Sequence, residues 1–123
     1  MSEAEANTTN ELFEAAERKV TEFEKRFWAF SDAASEEGVL SYKMKQLIAT
    51  ALGVAKGCER CVRAHALHAL EAGATGEEVV EACFMAVQMD GGPSYARLRE
   101  MVLKVIKDFQ NGYRYHRPFE ANI

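Results

Sequence analysis

Wherever apolar residues recur regularly in this chain, they recur with a helical step and not with the alternation of a half-buried strand. Phe13, Ala16, Val20, Phe23, Phe27 and Phe30 advance by three and four residues in turn, a narrow seam with a period near 3.5. Thr8 and Glu11 have the spacing of a capping box, so the first helix is expected to start beside them. Its seam is expected to lie on a core, or in part to face another subunit, because Trp28 adds bulk outside it. In "SEEGVLS", Gly38 is expected to end this helix and Ser41 to cap the next.

Met44, Leu47, Ile48, Ala51, Leu52 and Ala55 then form an i, i+3, i+4, i+7 stripe, which predicts a second helix from about Tyr42 to Val54. Gly57 interrupts it. A third helix begins near Cys58 and runs to Glu71, with Val62, Ala66, Leu67 and Leu70 on its apolar side. In "AGATGEEVVEA", Gly73 suits the left-handed position after a helix end, and Thr75 with Glu78 spells a second capping box. The fourth helix, Gly76 to about Met89, is apolar nearly all round and is therefore expected to be central. Pro93 fits the first turn of a fifth helix, which Met101, Val102, Val105, Ile106 and Phe109 line as far as Asn111-Gly112. The tail "YRYHRPFEANI" has no clear period and is expected to be extended, pinned on its own subunit or a neighbour. The expected fold class is all-α, about five helices in a single domain over 1–123. With 2 prolines and 8 glycines, the chain has too few breakers for a turn-rich all-β fold.

Charge and composition narrow the partners. A formal charge of −4 without any basic run leaves no electrostatic footprint for nucleic acid. The start "MSEAEANTTNEL" is acidic and polar, unlike a signal peptide. The cleanest uncharged run, Gln46 to Ala55, is far too short to span a bilayer, so no membrane partner is expected. A cytoplasmic, reducing location is expected. An odd count of 3 cysteines argues against a disulfide framework there, and a close C-x-x-C pair points to redox or metal chemistry.

That pair sits in "GCERCVRAH". On a helix each residue advances about 100°, so Cys58, Cys61 and His65 fall within an arc of roughly 60°, stacked over two turns. His68 falls at the edge of that arc. Thiols in or beside a first helical turn gain thiolate character from its unpaired N–H groups. An imidazole one turn on can take a thiol proton and later return it to a leaving group. Cys61 is placed to use His65 and is the expected nucleophile, with Cys58 as resolving thiol. Attack on a peroxide would give a sulfenic acid, which the second thiol condenses to a disulfide. Two other readings fit the same spacing. Cys58, Cys61 and His65 could be three ligands of a zinc site, although a structural zinc needs a fourth and no second C-x-x-C exists. They could also be small groups packed on an amphipathic helix. Cys83 is expected to pack in a core, His68 to lie at a surface or interface, and His116 belongs to no cluster.

The stretch "LSYKMKQLIATALGVAKGCERCVRAHALHALEAGATGEEVVEACFMAVQMDGGPSYA", about Leu40 to Ala96, resembles the carboxymuconolactone decarboxylase family in its alkylhydroperoxidase D-like branch. The resemblance rests on C-x-x-C-x-x-x-H, on the "AL-E-AGAT-EE" turn, and on the glycines near Gly91-Gly92. It implies an all-helical fold with a helical hairpin carrying the cysteine pair, and a homo-oligomer, trimeric or hexameric; the first helix and the tail are expected in the oligomer contacts. It also implies a peroxidase that uses Cys61 as the peroxidatic and Cys58 as the resolving thiol, with His65 in a proton relay. The electron donor would be a dithiol such as a lipoyl or thioredoxin-like protein; no cofactor and no metal are expected. The decarboxylase branch generally lacks the cysteine pair. Where the resembling enzymes carry a relay glutamate, this chain has Gln46, which can hydrogen-bond but cannot shuttle a proton. Arg60 stands between the cysteines where some members have histidine, and Glu59 is a nearby acid that could substitute. An enzyme of the lactone-decarboxylase kind and a non-catalytic module of the same fold are the alternatives.

Overall fold

The computed structural model describes residues 2–117, apart from the side chains of residues 6 and 7. Among the described residues there are five helices and no strand, as expected for the all-α class. They are α1 (Glu3–Ser35), α2 (Tyr42–Lys56), α3 (Glu59–Glu71), α4 (Gly76–Asp90) and α5, which runs unbroken over 92–110. α5 has an α-helical piece Gly92–Arg97, a π-helical turn Leu98–Val102 and a second α-helical piece Leu103–Gln110. The chain divides into two compact units, Met1–Glu36 and Glu37–Ile123.

The first unit is α1. It starts earlier than Thr8: Ser2 is the N-cap, its hydroxyl accepting from the Glu5 N–H at 3.1 Å, with Glu3 and Glu5 on the favourable end of the helix dipole. Thr8 and Thr9 lie inside the helix and donate back to the carbonyls of Ala4 and Glu5 at 2.9 and 2.8 Å. The helix also stops before Gly38, where the Glu36 N–H turns to Ala33 O. Along the seam Phe13, Val20, Phe23, Phe27 and Phe30 are exposed, and Trp28 meets Phe27 edge to face at 5.0 Å.

In the second unit α2 and α3 form a tight hairpin, α4 lies against α2, and α5 closes over α3 and α4. Ser41 caps α2 as expected, accepting from the Met44 N–H at 3.0 Å. Thr75 and Glu78 make both bonds of their capping box at 3.0 Å. Val54, Val62, Leu67, Val79, Cys83 and Val102 are completely buried in one core. Each such aliphatic side chain stabilises the fold by about 1.5–3 kcal/mol relative to exposure. α4 is not central. It buries Val79, Cys83 and Ala86 but leaves Phe84, Met85 and Met89 exposed, because its neighbours cover one side only. The tail is pinned on its own subunit as far as it is described: the Tyr115 N–H donates to Glu71 Oε1 at 3.1 Å. Residues 118–123 lie outside the described residues. Among those described, no helix is long and apolar enough to cross a membrane.

Candidate functional site

The cysteine pair sits where α2 hands over to α3. α2 runs two residues past Val54 and closes with Gly57 at φ 72°, a left-handed conformation that suits glycine. The Gly57 N–H returns to Val54 O at 3.1 Å and the Cys58 N–H to Gly53 O at 3.0 Å, the two bonds of a Schellman closure. Cys58 is therefore both the last residue of that closure and the N-cap of α3, where its Sγ accepts from the Cys61 N–H at 3.2 Å. Cys58 and Cys61 are joined in a disulfide, with their Cα atoms 5.2 Å apart. Both are half-buried.

Two features hold this handover in place, and periodicity alone does not reveal either. Gly53, buried in α2, lets the first turn of α3 rest directly on the α2 backbone: a Cβ there would lie 3.1 Å from Cys61 Cβ and 3.1 Å from the Val62 N. Arg97 reaches across from α5. Its Nη1 donates to Val54 O at 2.9 Å and approaches Asp90 Oδ2 at 3.4 Å, while buried Ser94 donates to the same carboxylate oxygen at 2.7 Å. The guanidinium thus adds a second donor to Val54 O, beside the Gly57 N–H, at the end of α2 just before the cysteine loop.

His65 lies one helical turn beyond Cys61 on the same face of α3. Its Nδ1 is 2.7 Å from Oε1 of Gln46, which is only 2% exposed on α2. An amide oxygen only accepts, so Nδ1 carries the hydrogen and Nε2 presents the lone pair. Burial, and then the charge of His68, push the His65 pKa below its ordinary 6.5, which keeps the ring neutral at neutral pH. His68 is 6.2 Å from His65 and packs edge-on to Tyr115 at 4.5 Å. The structure thus gathers Cys58, Cys61, His65 and Gln46 at the α2–α3 junction.

Glu59 and Arg60 are exposed. Glu59 lines a small crevice with Glu100 and Lys104, and neither Gln46 nor His65 lines it. Cys83 is fully buried in the core, where burial pushes its thiol up to about 11. Among the described residues, no three His, Cys, Asp or Glu side chains converge as a metal site. A hollow of about 390 Å³ between α4 and α5, lined by Val80, Phe84, Leu103 and Ile106, includes none of the redox residues.

Comparison with known proteins gives a consistent answer. The model of the carboxymuconolactone decarboxylase family matches residues 21–103. An apo structure of a carboxymuconolactone decarboxylase family protein from Legionella pneumophila is 36% identical, with a TM-score of 0.70 over 85% of this chain and 91% of that one. A protein of the same family from Thermotoga maritima, for which involvement in an antioxidative response has been suggested, is 26% identical, with a TM-score of 0.66 over 71% of this chain and 89% of that one. An uncharacterised protein of Cupriavidus necator is 42% identical over 67 residues, 54% of this chain and 59% of its own length. Uncharacterised protein 4 in the cox locus of Paracoccus denitrificans is 37% identical over 70 residues, 57% of this chain and 63% of its own. The chain therefore spans about three fifths of the length of these curated relatives.

Proposed function

The chain belongs to the carboxymuconolactone decarboxylase family, and from that premise we propose that it is a thiol-dependent peroxidase of the alkylhydroperoxidase-like branch. The observation that carries this reading is the Cys58–Cys61 disulfide at the start of α3, one turn from a neutral imidazole of defined tautomer. In the reduced enzyme His65 takes the Cys61 proton. The thiolate attacks a peroxide oxygen, an S–O bond forms, the O–O bond breaks, and the alcohol leaves with a proton from the imidazolium. Cys58 then condenses with the Cys61 sulfenic acid to give the disulfide and water. A dithiol donor, of lipoyl or thioredoxin-like kind, restores both thiols by exchange and is itself oxidised to a disulfide.

The two sulfurs are supported differently. The Cys61 N–H already points at Cys58 Sγ, so on reduction that bond favours a Cys58 thiolate and makes Cys58 the better leaving group when donor attacks Cys61. The expected assembly is a homo-oligomer, trimeric or hexameric, in the cytoplasm. The suggested antioxidative involvement of the Thermotoga maritima relative agrees with this reading.

Cys61→Ser should abolish peroxide consumption with a dithiol donor, and retained turnover would refute the assignment. Gln46 favours a second reading, because an amide cannot shuttle the proton of the peroxide step. In that reading the pair exchanges disulfides with a partner and does not turn over peroxide. Intact mass before and after peroxide separates the two: loss of two hydrogens from reduced protein supports the peroxidase. A reduced protein that peroxide leaves unchanged but an oxidised dithiol converts supports exchange.

A further inference from the structure

We propose that α1 pairs with α1 of a second copy of this chain, parallel and in register, and that its edge charges set that orientation. The proposal is independent of the redox chemistry. α1 is 33 residues long, about 50 Å of helix, and forms a unit of its own. Its seam fits heptads in which Phe13, Val20, Phe27 and Ala34 take the a positions and Ala16, Phe23 and Phe30 the d positions. The four phenylalanines of this seam are exposed, Phe27 least at 47% and Phe30 most at 70%. An isolated helix with such a stripe is marginal in water, and a stripe of this size calls for a cover.

The residues flanking the seam decide what covers it. With this phasing Lys19 and Arg26 fall at g, and Glu17 and Glu24 fall at e, so one edge is basic and the other acidic. In a parallel pair a g residue meets the e residue five positions on in its partner. Lys19 then faces Glu24 of the second copy, and the symmetric contact repeats it. In an antiparallel pair g meets g and e meets e, which sets Lys19 and Arg26 against their own kind and Glu17 and Glu24 against theirs. The pattern is thus self-complementary in one orientation and self-repelling in the other. The occupant it selects is another α1 pointing the same way.

The test uses the full chain and reads self-association by sedimentation. Glu24→Lys turns both Lys19–Glu24 contacts repulsive and should weaken association about tenfold. The double variant Lys19→Glu/Glu24→Lys restores the pairs with reversed sign and should recover it. Ala16→Cys, at a d position, should give a disulfide between the two copies of position 16, identified as a linked peptide by mass spectrometry. Tighter association of Glu24→Lys would mean an antiparallel pair and would overturn the proposal. So would unchanged association, which is expected if the seam docks on the exposed Met44, Ile48 and Leu52 of another copy. Absence of the linked peptide overturns it equally.

Discussion

Gly53→Ala separates two physical effects that act with opposite sign. In a helix interior alanine is favoured over glycine by about 1 kcal/mol, so propensity alone predicts a more stable protein. The structure predicts the reverse. The new methyl would sit 3.1 Å from Cys61 Cβ, 3.1 Å from the Val62 N and 3.4 Å from the Cys61 carbonyl carbon, and two of these three atoms are backbone. Backbone held in a helical first turn cannot rotate aside, so the hairpin must open by a few tenths of an ångström. Overpacking of this kind costs about 1–3 kcal/mol, which leaves a net loss of roughly 1 kcal/mol after the propensity gain. The loss should be larger in the oxidised protein, because the bond to Cys58 holds the Cys61 turn where it collides. If reduction relieves about 1 kcal/mol, the variant's disulfide becomes about 20 mV easier to reduce. Urea unfolding of the oxidised and reduced forms, with a redox titration against a glutathione or thioredoxin couple, measures both quantities. Equal stabilisation of the two forms by about 1 kcal/mol would show that α3 does not rest on Gly53.

Three other outcomes follow from the same junction. His65 has a folded pKa below 6.5, so the unfolded chain takes up the proton first; the stability present above pH 6.5 is lost as pH falls through the folded value. Urea midpoints should drop between about pH 7.5 and about pH 5.5, and His65→Gln should shrink that drop; an unchanged slope would refute burial of the neutral ring. Gln46→Glu places a carboxylate beside His65 Nδ1, which should raise the imidazole pKa in an NMR titration and speed peroxide turnover if the missing acid limits it. A His65 resonance that titrates as before would count against the Gln46 contact. Arg97→Met removes the side-chain donor to Val54 O and Ala55 O, leaving Val54 O the Gly57 N–H, and should cost about 0.5–1.5 kcal/mol in chemical unfolding; a midpoint equal to that of the parent would mean that water caps α2 just as well.

Local signals served well where the local chain decides the outcome. Thr75 with Glu78 and Thr8 with Glu11 show the same pattern, yet only the first pair became a capping box. Before Thr75 the chain must turn, at Gly73 with φ 99°, whereas before Thr8 it is good helix back to Ser2, and a helix extends until something stops it. Cys58, Cys61 and His65 were legible because they share one helix face. The Gln46–His65 bond joins residues 19 apart on two helices, and only a family pattern draws attention to Gln46. Gly53 reads as an ordinary weak helix residue until α3 is laid against it. Arg97 is 43 residues from the carbonyl it caps, and nothing short-range announces it. The apolar girth of α4 misled because composition reports what a helix could bury and not how many neighbours arrive to cover it.

The π turn at Leu98–Val102 has a consequence for how this fold tolerates change in chain length. In an unbroken α-helix Arg97 and Val105, eight residues apart, would point about 80° away from one another. The wider turn absorbs roughly one residue of rotation and brings them within about 20°. One rod can then grip the end of α2 with its first piece and seat Val105 in the core beside α3 with its last. The turn behaves as a phase shifter between two surfaces that a regular helix with the same number of residues could satisfy only one at a time. A single-residue deletion within 98–102 would restore ideal helical geometry and leave the apolar stripe of the second piece intact. It would also leave Arg97 and Val105 seven residues apart, still within about 20° of one another, so that the helix could lose this residue and keep its hold on the redox site.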